Sequence, residues 1–187
     1  MIVKKYLQTC TVIIAILQIS FLSADWTMSI TGQGADSTGS YHIITLGTCG
    51  GCNDSWKYGE DEYDYINPLS GEYTNIHFFN LDWFGLEDEH DIICEQIEFS
   101  TDFKSEHPPG DLLSWGIRGY TSIDFPTNIP INLSWNATAL DSLSNDYEIF
   151  LYVGDTGYNM RQSTSISISQ EEMYLNGNDP NIKVLMG

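Results

Sequence analysis

The fold this sequence predicts is an all-β domain: a two-sheet antiparallel β-sandwich of about eight or nine strands. Three observations predict it. Apolar residues recur with a period of two, which gives strands one dry and one wet face. The breaks between these runs hold turn residues, among them Gly32-Gln33-Gly34, Pro108-Pro109-Gly110, Gly154-Asp155-Thr156-Gly157 and Asn176-Gly177-Asn178-Asp179-Pro180. Helix signals are nearly absent.

Residues 1–24 come first and read as a leader. Lys4 and Lys5 form a basic start, an apolar stretch follows from Cys10 to Leu22, and Ser23-Ala24 gives a small-residue end before Asp25. This is the layout of a secretory signal peptide cleaved near Ala24. The stretch is shorter than the roughly 20 residues that span a bilayer. The expected domain is then residues 25–187, a length that suits one domain able to bury its own core.

The expected strands follow in order. Trp26, Met28 and Ile30 alternate with Thr27, Ser29 and Thr31. Tyr41 to Leu46 and Tyr73 to Phe79 are the next two. Ile93, Ile97 and Phe99 make a fourth, Leu113, Trp115 and Ile117 a fifth, and Ile131, Leu133 and Trp135 a sixth. Tyr147 to Val153 is nearly all apolar and reads as a strand buried on both faces. Gly154–Gly157 then predicts a hairpin to Tyr158–Met160. Ile166 and Ile168 alternate with serines, and Ile182, Val184 and Met186 close the chain. Short helical turns are expected at Trp83–Ile92 and at Gln170–Met173.

Charge narrows the function classes. The chain has 26 acidic and 7 basic residues, a net charge of −19. Without Lys4 and Lys5 it would carry 26 acids against 5 bases, or −21. Nucleic acid is excluded as a partner, because phosphates would be repelled, and an anionic membrane surface is disfavoured likewise. Disorder is excluded by an aromatic content of 13%. No second apolar run of spanning length occurs, so no transmembrane segment is expected in the mature chain. Sequons at Asn53, Asn132 and Asn136 agree with export.

The carboxylates fall in two runs, Asp54 to Asp64 and Asp82 to Asp91. Crowded like charges recruit a hard cation, and Ca²⁺ takes six to eight oxygen ligands from flexible acidic loops. A calcium site is therefore expected in or between these loops, with Asp61, Asp64 and Asp82 foremost, then Glu60 and Asp88. Neither run has the spacing of an EF-hand. The bland alternative is a pair of solvated loops. Cys49, Cys52 and Cys94 are the cysteines outside the leader, and in an exported chain one disulfide and one spare thiol are expected. A bridge to Cys94 would pin the acidic loop to the strand near Ile93, whereas Cys49–Cys52 closes only a tight loop. A zinc site from Cys49, Cys52, His90 and Cys94 is the alternative.

Catalytic motifs are missing: there is no G-x-S-x-G, no H-E-x-x-H and no phosphate loop. His42, His77, His90 and His107 read as strand or loop residues. Trp56, Tyr63, Tyr65 and Trp83 lie beside the acidic loops, and aromatics beside carboxylates are how sugar-binding faces are built; the opposite expectation is that they are core. Trp115 and Trp135 fall on apolar faces and are expected inside.

Ile131 to Val153 (INLSWNATALDSLSNDYEIFLYV) resembles two adjacent strands of a fibronectin type III or immunoglobulin-like module, with Trp135 near Tyr147. The succession of ITLG, the acidic loop, STDF, SW, LSW and YNMR resembles β-sandwich modules of prokaryotic cell-surface proteins. That resemblance implies adhesion, glycan contact or assembly, and carries over no catalytic residue. The expected function is a secreted or cell-surface structural or adhesive protein, a calcium-dependent assembly subunit whose partners are other surface proteins or its own copies. Asp25 to Thr31 could complete a neighbour's sheet by strand addition, the alternative being an ordinary first strand of its own fold. The alternatives are a carbohydrate-binding module and, behind it, a secreted hydrolase.

Overall fold

The computed structural model describes residues 26–35, 37–64, 71–174 and 180–187. The expected leader at residues 1–24, Tyr65 and the expected turn residues 176–179 lie outside the described residues. The elements in chain order are β1 (Trp26–Gly34), β2 (His42–Cys49), β3 (Thr74–Phe79), β4 (Glu98–Phe99), β5 (Thr101–Ser105), β6 (Leu113–Thr121), β7 (Ile131–Trp135), β8 (Ile149–Val153), β9 (Thr156–Asn159), β10 (Ser165–Ile168), the one-turn helix α1 (Gln170–Tyr174) and β11 (Ile182–Met186). Short 3-10 turns lie at Leu81–Trp83 and Ala137–Ser142. No helix among the described residues is long and apolar enough to cross a membrane.

Two sheets form the sandwich. One has the order β10-β7-β1-β2-β5, the other β4-β3-β6-β11-β8-β9. Alternation explains the layering: in β1, β7 and β11 every second residue is buried, and these residues meet between the sheets. Trp26 of β1 packs edge-on against Trp115 of β6, with ring centroids 6.1 Å apart. The sheets approach so closely that a Cβ on Gly32 would lie 2.8 Å from Ile76 of the opposite sheet. The two-residue hairpin at Gly154-Asp155 joins β8 to β9 as the sequence predicts, with Gly154 at φ +56° supplying the left-handed turn.

Four expectations need correction. β5 is an additional strand, and it runs parallel to β2, so the first sheet is not purely antiparallel. Its inward residues are Asp102 and Lys104, an inversion of the pattern that marks a strand. The stretch Ile93 to Phe99 is strand only at Glu98–Phe99, and Ile93 is exposed. β8 is buried on one face, not two. Trp83–Ile92 forms no helix: a 3-10 turn at Leu81–Trp83 leads into a small hairpin with a bridge between Glu87 and Ile93. In addition, β1 is paired on both sides, with β2 and with β7. It is an interior strand of its own sheet and is not free to complete a neighbour's.

Trp135 and Tyr147 belong to the same core but sit on opposite sheets' segments. The Trp135 indole donates to the Met160 carbonyl at 3.0 Å, and the Tyr147 hydroxyl donates to that of His107 at 2.6 Å.

Candidate functional site

Three loops gather at one side of the sandwich: residues 50–64 after β2, 80–97 after β3 and 106–112 after β5. They are bonded to one another and to β5. Asp54 Oδ1 accepts from the Ser105 N–H at 3.0 Å and the Ser105 hydroxyl at 2.6 Å, and its Oδ2 meets His107 Nε2 at 2.8 Å. The Tyr58 N–H points to Asp88 at 3.4 Å, and Lys57 pairs with Glu60 and, at 3.5 Å, with Glu89.

Asp61 and Asp54 have one structural task in common. β5 is an edge strand, and an edge leaves a row of N–H groups unpaired. Here the Phe103 N–H donates to Asp61 at 3.0 Å, the Ser105 N–H to Asp54, and the Ser100 N–H to the Glu62 carbonyl at 2.8 Å. The other Asp61 oxygen accepts from the Lys57 N–H at 2.9 Å. β4, the neighbouring edge of the second sheet, is covered by the same loop: Tyr63 bridges to Phe99, and the Asp64 N–H donates to the Glu98 carbonyl.

Burial sets the protonation of this region. Asp61 is buried, which pushes its carboxyl up to about 7, against the pull of the two backbone donors. Asp102, wholly buried, is also raised by burial; Lys104, whose Nζ lies 3.3 Å from its Oδ1, pulls the other way, as does the Asn80 amide at 3.0 Å. The Lys104 ammonium stands over the Trp83 and Trp115 rings, 5.5 and 5.8 Å from their centroids. Asp64 differs: burial opposes its charge, but His42 at 3.2 Å outweighs this and holds the carboxyl below its usual range. The hydrogen bond to Asp64 in turn raises His42. Burial drives His77 down to about 4, although Asp64 and Glu98 lie 3.9 and 3.5 Å from its ring nitrogens.

The expected calcium ligands are thus engaged separately. Asp61 binds backbone N–H groups and Asp64 binds His42, while Glu60 pairs with Lys57. Asp88 accepts from the His90 and Ile92 N–H groups; desolvation pushes its carboxyl up, but these donors with the Tyr58 N–H together outweigh it and keep the carboxyl low. Asp82 is exposed in the 3-10 turn, beside an open recess of about 490 Å³ that is also lined by Asp54, Asn80, Trp83 and Lys104. No group of three His, Cys, Asp or Glu side chains that could hold a metal ion occurs among the described residues. The crowding that suggested a cation is relieved by N–H donors, histidines and Lys57.

Both tryptophans follow the core expectation, and the sugar-face expectation is overturned for them. Trp56 and Trp83 are 2% and 6% exposed. With Tyr63 and Phe99 they form an internal stack: Trp56 lies parallel to Tyr63, and Tyr63 and Trp83 both contact Phe99, at centroid distances of 6.1, 5.6 and 5.0 Å. Their contact area is spent fastening the loops to the sheets. What faces solvent instead is a mixed set of aliphatic and aromatic residues, of which the sequence placed Tyr58 beside the acidic loops and Ile93 in a strand. Among the described residues, five of the ten large apolar side chains left exposed are Tyr58, Leu81, Phe84, Leu86 and Ile93, all on the first two loops.

Cys49 and Cys52 form the disulfide, with Cα atoms 5.3 Å apart, and Cys94 is free and buried. The bridge to Cys94 and the zinc set are both excluded by this pairing. Ser105, His107 and Asp54 also converge, His107 Nε2 lying 3.1 Å from the Ser105 hydroxyl. The hydroxyl and the ring both point at Asp54, however, so the trio acts as a clamp between the loop and β5. The sequence hint for this clamp and for Asp102/Lys104 was the alternation S-T-D-F-K-S-E-H itself, with polar residues on the inward register. Comparison with protein-family models, with curated proteins and with solved structures gives no significant match.

Proposed function

We propose that this chain is an exported structural or adhesive β-sandwich, a subunit of a surface assembly, and that the loop side is its contact face. One observation carries the reading. Tyr58, Leu81, Phe84, Leu86 and Ile93 stand exposed on loops that are otherwise pinned to the sheets by Asp54, Asp61 and the Trp56–Tyr63–Phe99–Trp83 stack. Apolar side chains held out on a fixed frame and rimmed by carboxylates are the makings of a protein-contact surface. Loops on a rigid scaffold are also where binding residues are usually carried. A cation would serve this face as a counter-ion to Asp82, Glu87, Glu89 and Asp91. The glycan alternative loses its support with Trp56 and Trp83 packed inside.

The test has two readouts. Cells producing the full chain are treated with protease that cannot enter them, and the surface-derived protein is sequenced from its N-terminus. A surface-accessible chain starting at Asp25 is expected; a chain confined to the cell interior overturns the reading. Phe84→Ser combined with Ile93→Ser is expected to lower the surface-retained fraction severalfold with an unchanged thermal melt. Full retention by that variant would remove the contact face.

A further inference from the structure

Of the four sheet edges, two are covered by another segment of the chain and a third is short. β5 and β4 are covered by residues 54–64. On β9 the ladder phase, set by the Met160 N–H to Ile149 bond, leaves only Gly157 and Asn159 turned outward, and the Asn159 carbonyl is taken by the Gln162 and Ser163 N–H groups. β10 is different. The Trp135 N–H donates to the Thr164 carbonyl at 2.9 Å, so Thr164, Ile166 and Ile168 turn their backbone groups to β7, and Ser165 and Ser167 turn theirs away from it. β10 pairs with β7 alone among the described residues, and Ser165 and Ser167 are exposed.

The composition of this edge is as telling as its geometry. Residues 162–169 (QSTSISIS) contain no ionisable side chain, no proline and no bulge-forming glycine, in a chain with 26 acids. Charges and prolines are the usual protection of an edge against pairing. The chain therefore leaves an uncharged template at β10, in a sequence otherwise rich in acids.

We propose that β10 is an interaction surface whose partner is the β10 of a second copy, joined antiparallel across a two-fold axis into a continuous ten-stranded sheet. The inference rests on the reading of the chain as an assembly subunit. Three features select a second copy over another extended segment. Alternating Ser and Ile is self-complementary: with Ile166 on the axis, Ser165 of each copy faces Ser167 of the other, and both pairs can exchange backbone bonds. The Ile row then continues the dry face, and the Ser row the wet one. Antiparallel docking also sets only uncharged side chains against one another between residues 162 and 169. Because β5 at the far edge of the same sheet is sealed by Asp54 and Asp61, pairing stops at two copies and makes no filament.

Sedimentation equilibrium of the full chain between about 1 and 100 μM, in salt near 0.15 M where exposed charges are screened beyond about 8 Å, tests this. A mass rising toward twice that of the monomer is expected. Ser167→Pro removes an outward N–H that the fold does not use, and Ser165→Lys with Ser167→Lys places like charges across the axis. Each is expected to weaken association at least tenfold with unchanged far-ultraviolet circular dichroism; the lysine pair decides the matter if the proline disturbs the strand. Thr156→Lys on β9 is expected to leave association intact. A wild-type monomer at every concentration, or a dimer that survives the lysine pair, overturns the proposal. A monomer that is exported and retained through Phe84 and Ile93 would sink the pairing alone. A dimer that never leaves the cell would sink the exported-subunit reading alone.

Discussion

The two lateral sides of this sandwich solve the same edge problem in opposite ways. On one side the chain switches sheets at Ser100, between β4 and β5, and lays residues 54–64 over both edges, with carboxylates taking strand N–H groups. On the other it switches sheets between β9 and β10, with a short tight turn and no covering segment among the described residues. The first side is charged, internally bonded and partly buried; the second is neutral and, at Ser165 and Ser167, unpaired. The lesson is that acidity here is not merely a surface property. A share of the carboxylates works as hydrogen-bond acceptors for backbone, a task a neutral loop would have needed another strand to perform.

The largest test of this contrast removes Lys104. Lys104→Met leaves Asp102 in the core without its cation, and losing one member of a buried pair costs about 3–5 kcal/mol. Thr156→Lys on the open side should change stability by less than about 0.5 kcal/mol. Urea denaturation of both variants measures the difference, and similar costs would erase the distinction between the two sides. Asp102→Asn added to Lys104→Met should recover part of the loss.

An intermediate effect concerns pH. Unfolded, Asp61 titrates near 3.8; folded, it titrates at about 7. Between those values the folded chain keeps a proton that the unfolded chain has released. Asp61 therefore lowers stability progressively from about pH 4 to about pH 7, by up to about 4 kcal/mol, and by a constant amount above. His77 works the other way: with its folded value at about 4 against 6.5 unfolded, it costs stability as pH falls through that range. Asp61→Asn should therefore gain on the wild type steadily as pH rises from 4 to 7, read as the difference in Tm at each pH. A difference independent of pH would mean that Asp61 is ionised in the fold.

The alternation of Trp26 to Ile30, Ile131 to Trp135 and Ile182 to Met186 sufficed to place three strands and their buried faces, because an apolar face against the core is what period two records. β5 escaped for the converse reason. Its buried face is Asp102 and Lys104, and only tertiary pairing makes such a face affordable. Of the acidic loops, the sequence showed where the charge lies but not its partners, since Phe103 is 42 residues from Asp61 and contributes a backbone N–H that any residue would have. The tryptophans were ambiguous because a ring that fastens a loop and a ring that meets a sugar look alike in one dimension.

The smallest expected effect is that of cations. A site filled at a hundred times its Kd would add about 2.7 kcal/mol, enough to move Tm by several degrees in a domain of this size. With Asp61, Asp64, Glu60 and Asp88 each engaged by the protein, Ca²⁺ against EDTA should shift Tm by less than about 1 °C. A rise of several degrees would restore a bound ion to the closed side.

Cys94 deserves a last consequence. Its thiol is buried beneath the 80–97 loop, donates to the Gln96 carbonyl at 3.3 Å and is raised by burial. With Cys49 and Cys52 joined to each other, a thiol-directed reagent has one target besides Cys10, and it reaches that target only when the loop lifts. The labelling rate therefore clocks the opening of this loop, with no engineered probe required.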